Sequence, residues 1–370
     1  MLRTNAVRLA RTKTASVSTS RTYADLTILP ETRKPVISYG PSGRSAVSGH
    51  VATVFGCTGF LGRYLVHKLA KAGTQVIIPY REEDEKRHLK VSGDLGQIVS
   101  LDWDIRDEDR IAECVRHSDV VYNLVGRDYT TKNFNYEDVH VAGARRIAEI
   151  SKTNGVSRFV HVSHLNASLE SPSEFYRAKA LGEQAVREVF PEANIVRPAS
   201  YYGHEDKFLN SMAFWPIVWK LNNGDTVVRP VHVLDVAQAL SNFTSLPAVG
   251  QTYNLPGPRS YTYNDIMDMI SSLTYNPQPT VPTIPKSLML AASKVAQLAW
   301  WPLVSPDEIE RRYLNDSDVK GDWEALGVVP EELENVAITY VRRYRNSTNY
   351  ARPVKLPSKE GGSSSYHTVD

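Results

Sequence analysis

The stretch Val51-Ala52-Thr53-Val54-Phe55-Gly56-Cys57-Thr58-Gly59-Phe60-Leu61-Gly62 decides the fold. A short apolar run ends in three glycines spaced by three, and a helical stretch follows through Ala72. Strand, glycine turn and helix in that order are the context a dinucleotide fingerprint requires. The spacing is G-x-x-G-x-x-G rather than G-x-G-x-x-G, but the physics is unchanged. Glycines permit the tight turn, let the backbone approach a pyrophosphate, and let the helix pack close to the strand. The helix N-terminus adds unpaired N–H groups and a positive dipole end. Residues Gly56, Cys57, Thr58, Gly59, Phe60, Leu61 and Gly62 are therefore candidate cofactor-binding positions.

Outward from this turn, apolar runs at 76–79, 98–101, 120–124, 158–162 and 194–197 alternate with helical stretches near 107–117, 136–154 and 173–190. Such alternation predicts parallel βαβ units with right-handed crossovers. The expected fold is α/β, a Rossmann-type doubly wound parallel sheet with a smaller mixed α/β C-terminal region. After Pro198 the rhythm breaks. Short strands near 227–231 and 252–255 are interleaved with helices, and the last helix lies near 331–345. The expected organisation is a leader (1–23), an extended arm (24–48), a nucleotide-binding domain (49–200, with later segments returning to it), a smaller C-terminal domain (201–350) and a flexible tail (351–370).

The first 23 residues carry Arg3, Arg8, Arg11, Lys13 and Arg21, with Ser and Thr between them and no acid before Asp25. That is the signature of a mitochondrial transit peptide. The 370 residues hold 43 basic and 41 acidic side chains, a net charge of +2 that the leader alone accounts for. This balance excludes a general nucleic-acid footprint. Two cysteines exclude a disulfide scaffold and a cysteine-based zinc site, and no histidine pattern has metal-ligand spacing, so no metal is expected. No run of 18 apolar residues predicts a membrane-spanning helix.

The second strand sets cofactor preference. It ends in Tyr80-Arg81, where an NAD site usually places an acid for the ribose 2′-hydroxyl. A guanidinium suits a 2′-phosphate instead, so NADPH is favoured. Lys86 and Arg87 are placed to assist, and Glu82 and Glu83 keep NAD in consideration.

These residues resemble the extended short-chain dehydrogenases/reductases. The glycine turn with Phe60-Leu61 carries the resemblance, together with Asp102-Trp103-Asp104, Arg197-Pro198-Ala199 and Val231-His232-Val233-Leu234-Asp235-Val236-Ala237. It spans about 50–345. It implies adenine contacts at Asp104 and Ile105, contacts along Leu124, Val125 and Gly126, and a nicotinamide-side contact at Pro198 and Ala199. A narrower resemblance rests on Val76-Ile77-Ile78-Pro79-Tyr80-Arg81, Gly126-Arg127-Asp128, Phe159-Val160-His161-Val162-Ser163-His164-Leu165-Asn166 and Glu205-Asp206-Lys207-Phe208-Leu209-Asn210. It is to the NADPH-binding accessory subunits of mitochondrial complex I (NADH:ubiquinone oxidoreductase). That resemblance implies a peripheral protein on the matrix side of the inner membrane. Its partners would be other complex I subunits of the peripheral arm and membrane junction, near the quinone region, and its NADPH would be structural.

An active member of the wider family needs a Tyr acid/base four residues before a Lys, so that both share a helix face. Here Glu174-Phe175-Tyr176-Arg177-Ala178-Lys179 places Phe175 at that position and Tyr176 one residue late. No catalytic residue is assigned. Ser163, Tyr176 and Lys179 are vestigial candidates, with Lys179 retained for the ribose. Cys57, beside a helix N-terminus, raises a redox role against a small turn residue. Residues 282–304 are unusually apolar and read either as a core helix or as surface offered to a partner or to phospholipid. Three functions stand open: a non-catalytic subunit, a free NADPH-dependent reductase or isomerase, and an NADP(H)-sensing regulator.

Overall fold

A computed structural model describes residues 25–28, 35–40, 46–214, 220–246, 249–276, 283–299 and 305–356. The leader and most of the expected tail lie outside the described residues. The chain opens with β1 (Asp25–Ile28) and β2 (Pro35–Ser38). Then come β3 (Val51–Phe55), α1 (Phe60–Lys71), β4 (Gln75–Tyr80), α2 (Arg87–Lys90), β5 (Ile98–Asp102), α3 (Glu108–Val115), β6 (Val120–Asn123), α4 (Ala144–Thr153), β7 (Arg158–Val162), α5 (Glu174–Val189) and β8 (Asn194–Pro198). The second half holds β9 (Tyr201–Tyr202), α6 (Phe208–Phe214), β10 (Val227–Val228), β11 (Val231–His232), α7 (Val233–Asn242), β12 (Thr252–Leu255), β13 (Tyr261–Thr262), α8 (Tyr263–Thr274), α9 (Lys286–Ala299), α10 (Pro306–Arg311) and α11 (Leu333–Val341).

Seven parallel strands form one sheet in the order β12-β8-β7-β6-β3-β4-β5. Strand side chains alternate between faces, and both faces are covered. Ala52, Val54, Val76 and Ile78 meet Leu61, Leu65 and Leu69 of α1 and Val236 and Leu240 of α7. Phe55, Val121 and Phe159 meet Ile111 of α3, Ile147 of α4 and Val186 of α5. Each fully buried Leu or Ile contributes roughly 2 kcal/mol of transfer free energy, so the sheet is a rigid platform. A separate cluster from α6, α8 and α11, including Leu209, Ile266, Ile270 and Ala337, forms the smaller C-terminal core.

Two features go beyond the sequence expectation. The strand at 252–255 is an edge of the main sheet, pairing Thr252 with Ile195 and Leu255 with Pro198. It covers the outer hydrogen-bonding edge of β8, a long-range pairing invisible to local periodicity. The helix expected from 136 begins with one π-helical turn, Asp138–Gly143. There Gly143 admits Ile105, whose Cδ1 would lie 2.3 Å from any Cβ at that position.

Candidate nucleotide-binding site

A parallel sheet brings the C-terminal ends of its strands to one edge, and ligands bind where the strand order reverses. Here the reversal falls between β3, which leads outward to β4, and β6 on its other side. The glycine turn follows β3, Arg81 follows β4, Asp104 and Ile105 follow β5, Leu124–Gly126 follow β6, Ser163 follows β7 and Ala199 follows β8. The sequence-predicted positions therefore share the C-terminal edge of the sheet, where a nucleotide crevice is expected.

The turn is built tightly. Gly56 takes φ +81°, and a Cβ there would stand 2.9 Å from the Leu124 carbonyl. A Cβ on Gly62 would stand 2.3 Å from the Gly56 oxygen and 2.7 Å from Cys57 Cα. Gly59 differs, for it has an ordinary φ of −73° as the N-cap of α1. Its added Cβ would meet only the Gly56 oxygen, at 3.3 Å. Gly56 and Gly62 thus shape the turn, while Gly59 leaves the crevice side bare. Phe60 is half-buried against Tyr64 and Tyr201, and Leu61 is in the core. Cys57 is buried and donates from Sγ to the Pro79 carbonyl at 3.2 Å. Burial pushes its thiol up to about 12. The helix dipole does not generate a thiolate here, so only the Cys57 backbone faces the turn.

At the β4 end, Arg81 is exposed and makes no hydrogen bond or ion pair among the described residues. Its basic neighbours are engaged. Lys86 pairs with Glu83 at 2.7 Å and lies 3.9 Å above the Tyr80 ring, and Arg87 pairs with Asp84 at 3.0 Å. Asp104 accepts from the Arg106 N–H at 2.8 Å. The Ile105 carbonyl accepts from Arg146 at 2.8 Å, and its side chain lies against Gly143. Asp104 is exposed at the mouth, whereas Ile105 is half-buried.

The other end of the crevice is lined by buried polar groups. Ser173 caps α5, and Asp307 of α10 accepts from Ser173 Oγ at 2.9 Å and from the Glu174 N–H at 2.8 Å. This fixes α5 so that Lys179 is buried, its Nζ donating to the Val162 carbonyl at 3.1 Å. Burial lowers its pKa to about 8. A Cβ on Gly126 would lie 3.5 Å from that Nζ. Pro198 and Ala199 are buried beside the loop after β7, where the Pro198 carbonyl accepts from the Leu165 N–H at 2.9 Å. Ser163 Oγ, His161 Nε2 and His140 Nδ1 are buried without a hydrogen-bond partner. Unpaired buried groups are costly, and their grouping near Lys179 and Gly126 suits a polar ligand. Burial, then Lys179, holds His161 down at about 3 and also lowers His140. Burial, then Arg311 and Lys179, holds His164 at about 3.

Phe175 and Tyr176 are both buried. The Phe175 ring centroid lies 5.8 Å from Lys179 Nζ. Tyr176 packs on His164, with ring centroids 4.7 Å apart, and its ring lies 5.7 Å from that of Phe175. Arg311 of α10 lies 4.7 Å over the other ring, that of Phe175, donates to the Asp128 carbonyl at 2.8 Å and pairs with Asp307 at 3.2 Å. Sequence reasoning missed Arg311, His140 and Asn123, whose Nδ2 lies 3.3 Å from His161 Nδ1. Arg311 arrives from far along the chain. The π-helical turn carrying His140, whose Nε2 lies 3.0 Å from the Arg127 carbonyl, leaves no periodic signal.

Two concave surfaces lie elsewhere. One, of about 450 Å³, is lined by Lys152, Val156, Phe190 and Glu192, residues that precede β7 and β8 at the opposite edge of the sheet. The second, lined by Val141, Arg145 and Leu181, lies among helices. Within 282–304, α9 exposes Leu288, Ala291, Ala292 and Val295. On those residues it is not a core helix. Residues 300–304 lie outside the described residues.

A family model described as the NAD dependent epimerase/dehydratase family matches residues 52–255. The chain is 45% identical over 338 residues to the mitochondrial NADH-ubiquinone oxidoreductase 40 kDa subunit of Neurospora crassa, covering 90% of this chain and 89% of that protein. It is 44% identical over 320 residues to the mitochondrial NADH dehydrogenase [ubiquinone] 1 alpha subcomplex subunit 9 of Rattus norvegicus, covering 84% of each. Among solved structures, Citrobacter sp. triphenylmethane reductase complexed with NADP(H) is similar at a TM-score of 0.61 and 17% identity, over 80% of this chain and 99% of that one. That likeness is one of fold.

Proposed function

The chain belongs to the NAD dependent epimerase/dehydratase family and, within it, to the family of these mitochondrial NADH-ubiquinone oxidoreductase subunits, and from that premise we propose that it is a non-catalytic accessory subunit holding NADPH as a structural ligand. The observation that carries the reading is an intact glycine cradle joined to Phe175 at the acid/base position. A benzene ring has no proton to transfer, and Tyr176 packs on His164 instead. Arg311 further covers the Phe175 ring, 4.7 Å from its centroid.

The residues fit the cofactor. Backbone N–H groups of the turn from Gly56 to Gly62 would take the pyrophosphate. Arg81 would take the 2′-phosphate, Asp104 the adenine side, and Lys179 the ribose. Ser163, with its unpaired Oγ, would meet the nicotinamide end near Pro198 and Ala199. Bound NADPH would offer a hydride, but the residue four before Lys179, where a tyrosine would donate the proton, is Phe175. Binding instead stabilises the folded state by mass action.

In this reading the mature chain starts near residue 24, an arm (24–48) precedes the nucleotide unit (49–200), and a C-terminal region (201–350) and tail (351–370) follow. Its partners are complex I subunits of the peripheral arm and membrane junction on the matrix side of the inner membrane. The exposed apolar face of α9 supports phospholipid contact through 282–304. The test is cofactor analysis of the purified assembly. The reading expects about one NADPH per chain, still reduced after the assembly has turned over and after ketone and quinone challenge of the free chain. Stoichiometric oxidation under either condition would contradict it.

A further inference from the structure

The hairpin of β1 and β2 carries a face that the described residues leave exposed. Leu26 lies opposite Ile37 and Ile28 opposite Pro35, and the isolated pair of Tyr39 with Val47 continues the ladder. Opposed residues, and residues two apart, point to the same side of a sheet. All of these side chains therefore share one face, and all are exposed, Leu26 at 65% and Ile28 at 62%. None carries a charge. The other face is anchored. Val36 is buried on Gly49, where a Cβ would stand 2.8 Å from Val36 Cγ1. Ser48 bonds the Gly73 carbonyl at 3.0 Å and Thr74 Oγ1 at 2.9 Å. These anchors adjoin the start of β4, so the apolar face lies at the edge of the sheet opposite the nucleotide crevice.

An isolated two-stranded hairpin is marginal in water, and a contiguous apolar face marks an interaction surface. At the exposures of Leu26, Ile28, Ile37, Tyr39 and Val47 the face presents roughly 400–500 Å² of accessible surface, the size of a functional patch. A free-standing dimer needs roughly 800 Å² per partner. A second copy of this chain is therefore not held by this face alone. The surface suits a neighbour already fixed in place by a larger assembly, and its lack of charge suits an apolar protein face. Resting on the subunit reading above, we propose that the β1–β2 hairpin docks against an apolar face of a neighbouring protein subunit of that assembly, leaving the nucleotide crevice open.

The test is thiol labelling. Both native cysteines are buried, so Leu26→Cys and Ile37→Cys each add one accessible thiol. Maleimide labelling of each should be at least about tenfold slower in the purified native assembly than in the free chain, because the centre of an interface packs like a protein interior. The slowing should survive delipidation. Equal rates overturn the proposal, and so does slowing that vanishes with the lipid, which would make the cover a bilayer. Slowing already present in the free chain at dimer mass would make the cover a second copy and also overturns it. As a second readout, a chain with Leu26→Glu and Ile37→Glu should keep its NADPH but leave the assembly on native gels. A wild-type chain that never comigrates with the assembly overturns the functional reading together with this one. Comigration with unslowed labelling overturns this one alone.

Discussion

Two glycines three residues apart should both lose binding when replaced by alanine, and only one should lose stability. In Gly62→Ala the new methyl stands 2.3 Å from the Gly56 oxygen and 2.7 Å from Cys57 Cα. Both are backbone atoms of a buried turn, and relief requires a shift of about 1 Å in a close-packed core. Overpacking of this kind costs roughly 1–3 kcal/mol, and it distorts the N–H groups aimed at the pyrophosphate. In Gly59→Ala the backbone is ordinary for any residue, and the methyl meets one atom at 3.3 Å. Stability should change by no more than about 0.5 kcal/mol. The methyl nevertheless enters the crevice where a pyrophosphate would approach. Losing one or two charge-assisted hydrogen bonds, at about 1.5–3 kcal/mol each, raises the NADPH Kd by at least about tenfold. The assays are thermal denaturation of the free chain and titration of NADPH fluorescence. Gly62→Ala should lose both stability and binding, and Gly59→Ala binding alone. A Gly59→Ala chain that binds NADPH within about twofold of wild type would refute the assignment of this turn to the pyrophosphate.

Further outcomes follow from the same geometry. Arg81→Ala should raise the NADPH Kd by about tenfold to a hundredfold and leave NADH unchanged, since one charge-assisted contact is worth about 1.5–3 kcal/mol; parallel titrations check it, and equal losses for both cofactors would remove the 2′-phosphate role. Phe175→Tyr restores a hydroxyl four residues before Lys179, yet NADPH oxidation with ketones should stay at the uncatalysed rate because Arg311 lies 4.7 Å over the ring; turnover by that single variant would show the crevice open to substrate. His161 and His164 sit at about 3 in the fold, below the free value of 6.5. The unfolded chain therefore takes up their protons first. Stability should be full above about pH 6.5 and fall as pH drops toward 3, by up to about 1.4 kcal/mol per unit for each histidine. Urea unfolding at pH 7 and pH 5 measures this, and equal stabilities would mean these histidines are not buried neutral.

Much of the fold was legible because local chemistry and global topology agree. Each βα unit in 51–198 announces itself by an apolar run, a turn and a helical period, and parallel strands then carry the residues after them to one edge. The Phe175–Lys179 register was legible because helical spacing is fixed. What escaped depends on distance or on irregular backbone. The pairing of β12 with β8 joins Thr252 to Ile195, and Arg311 reaches the Asp128 carbonyl; neither leaves a mark in local sequence. The π-helical turn at Asp138–Gly143 shifts His140 off the helical period. The segment expected as an extended arm holds, in its described residues, two short strands paired antiparallel, Leu26 opposite Ile37 and Ile28 opposite Pro35, a pairing that local sequence does not announce.

The central claim is membership in the respiratory assembly, and native electrophoresis of gently solubilised mitochondria tests it most directly. The chain should comigrate with NADH:ubiquinone oxidoreductase activity, with NADPH recovered from the same band. Migration as a free monomer or small oligomer, away from that activity, would contradict the account.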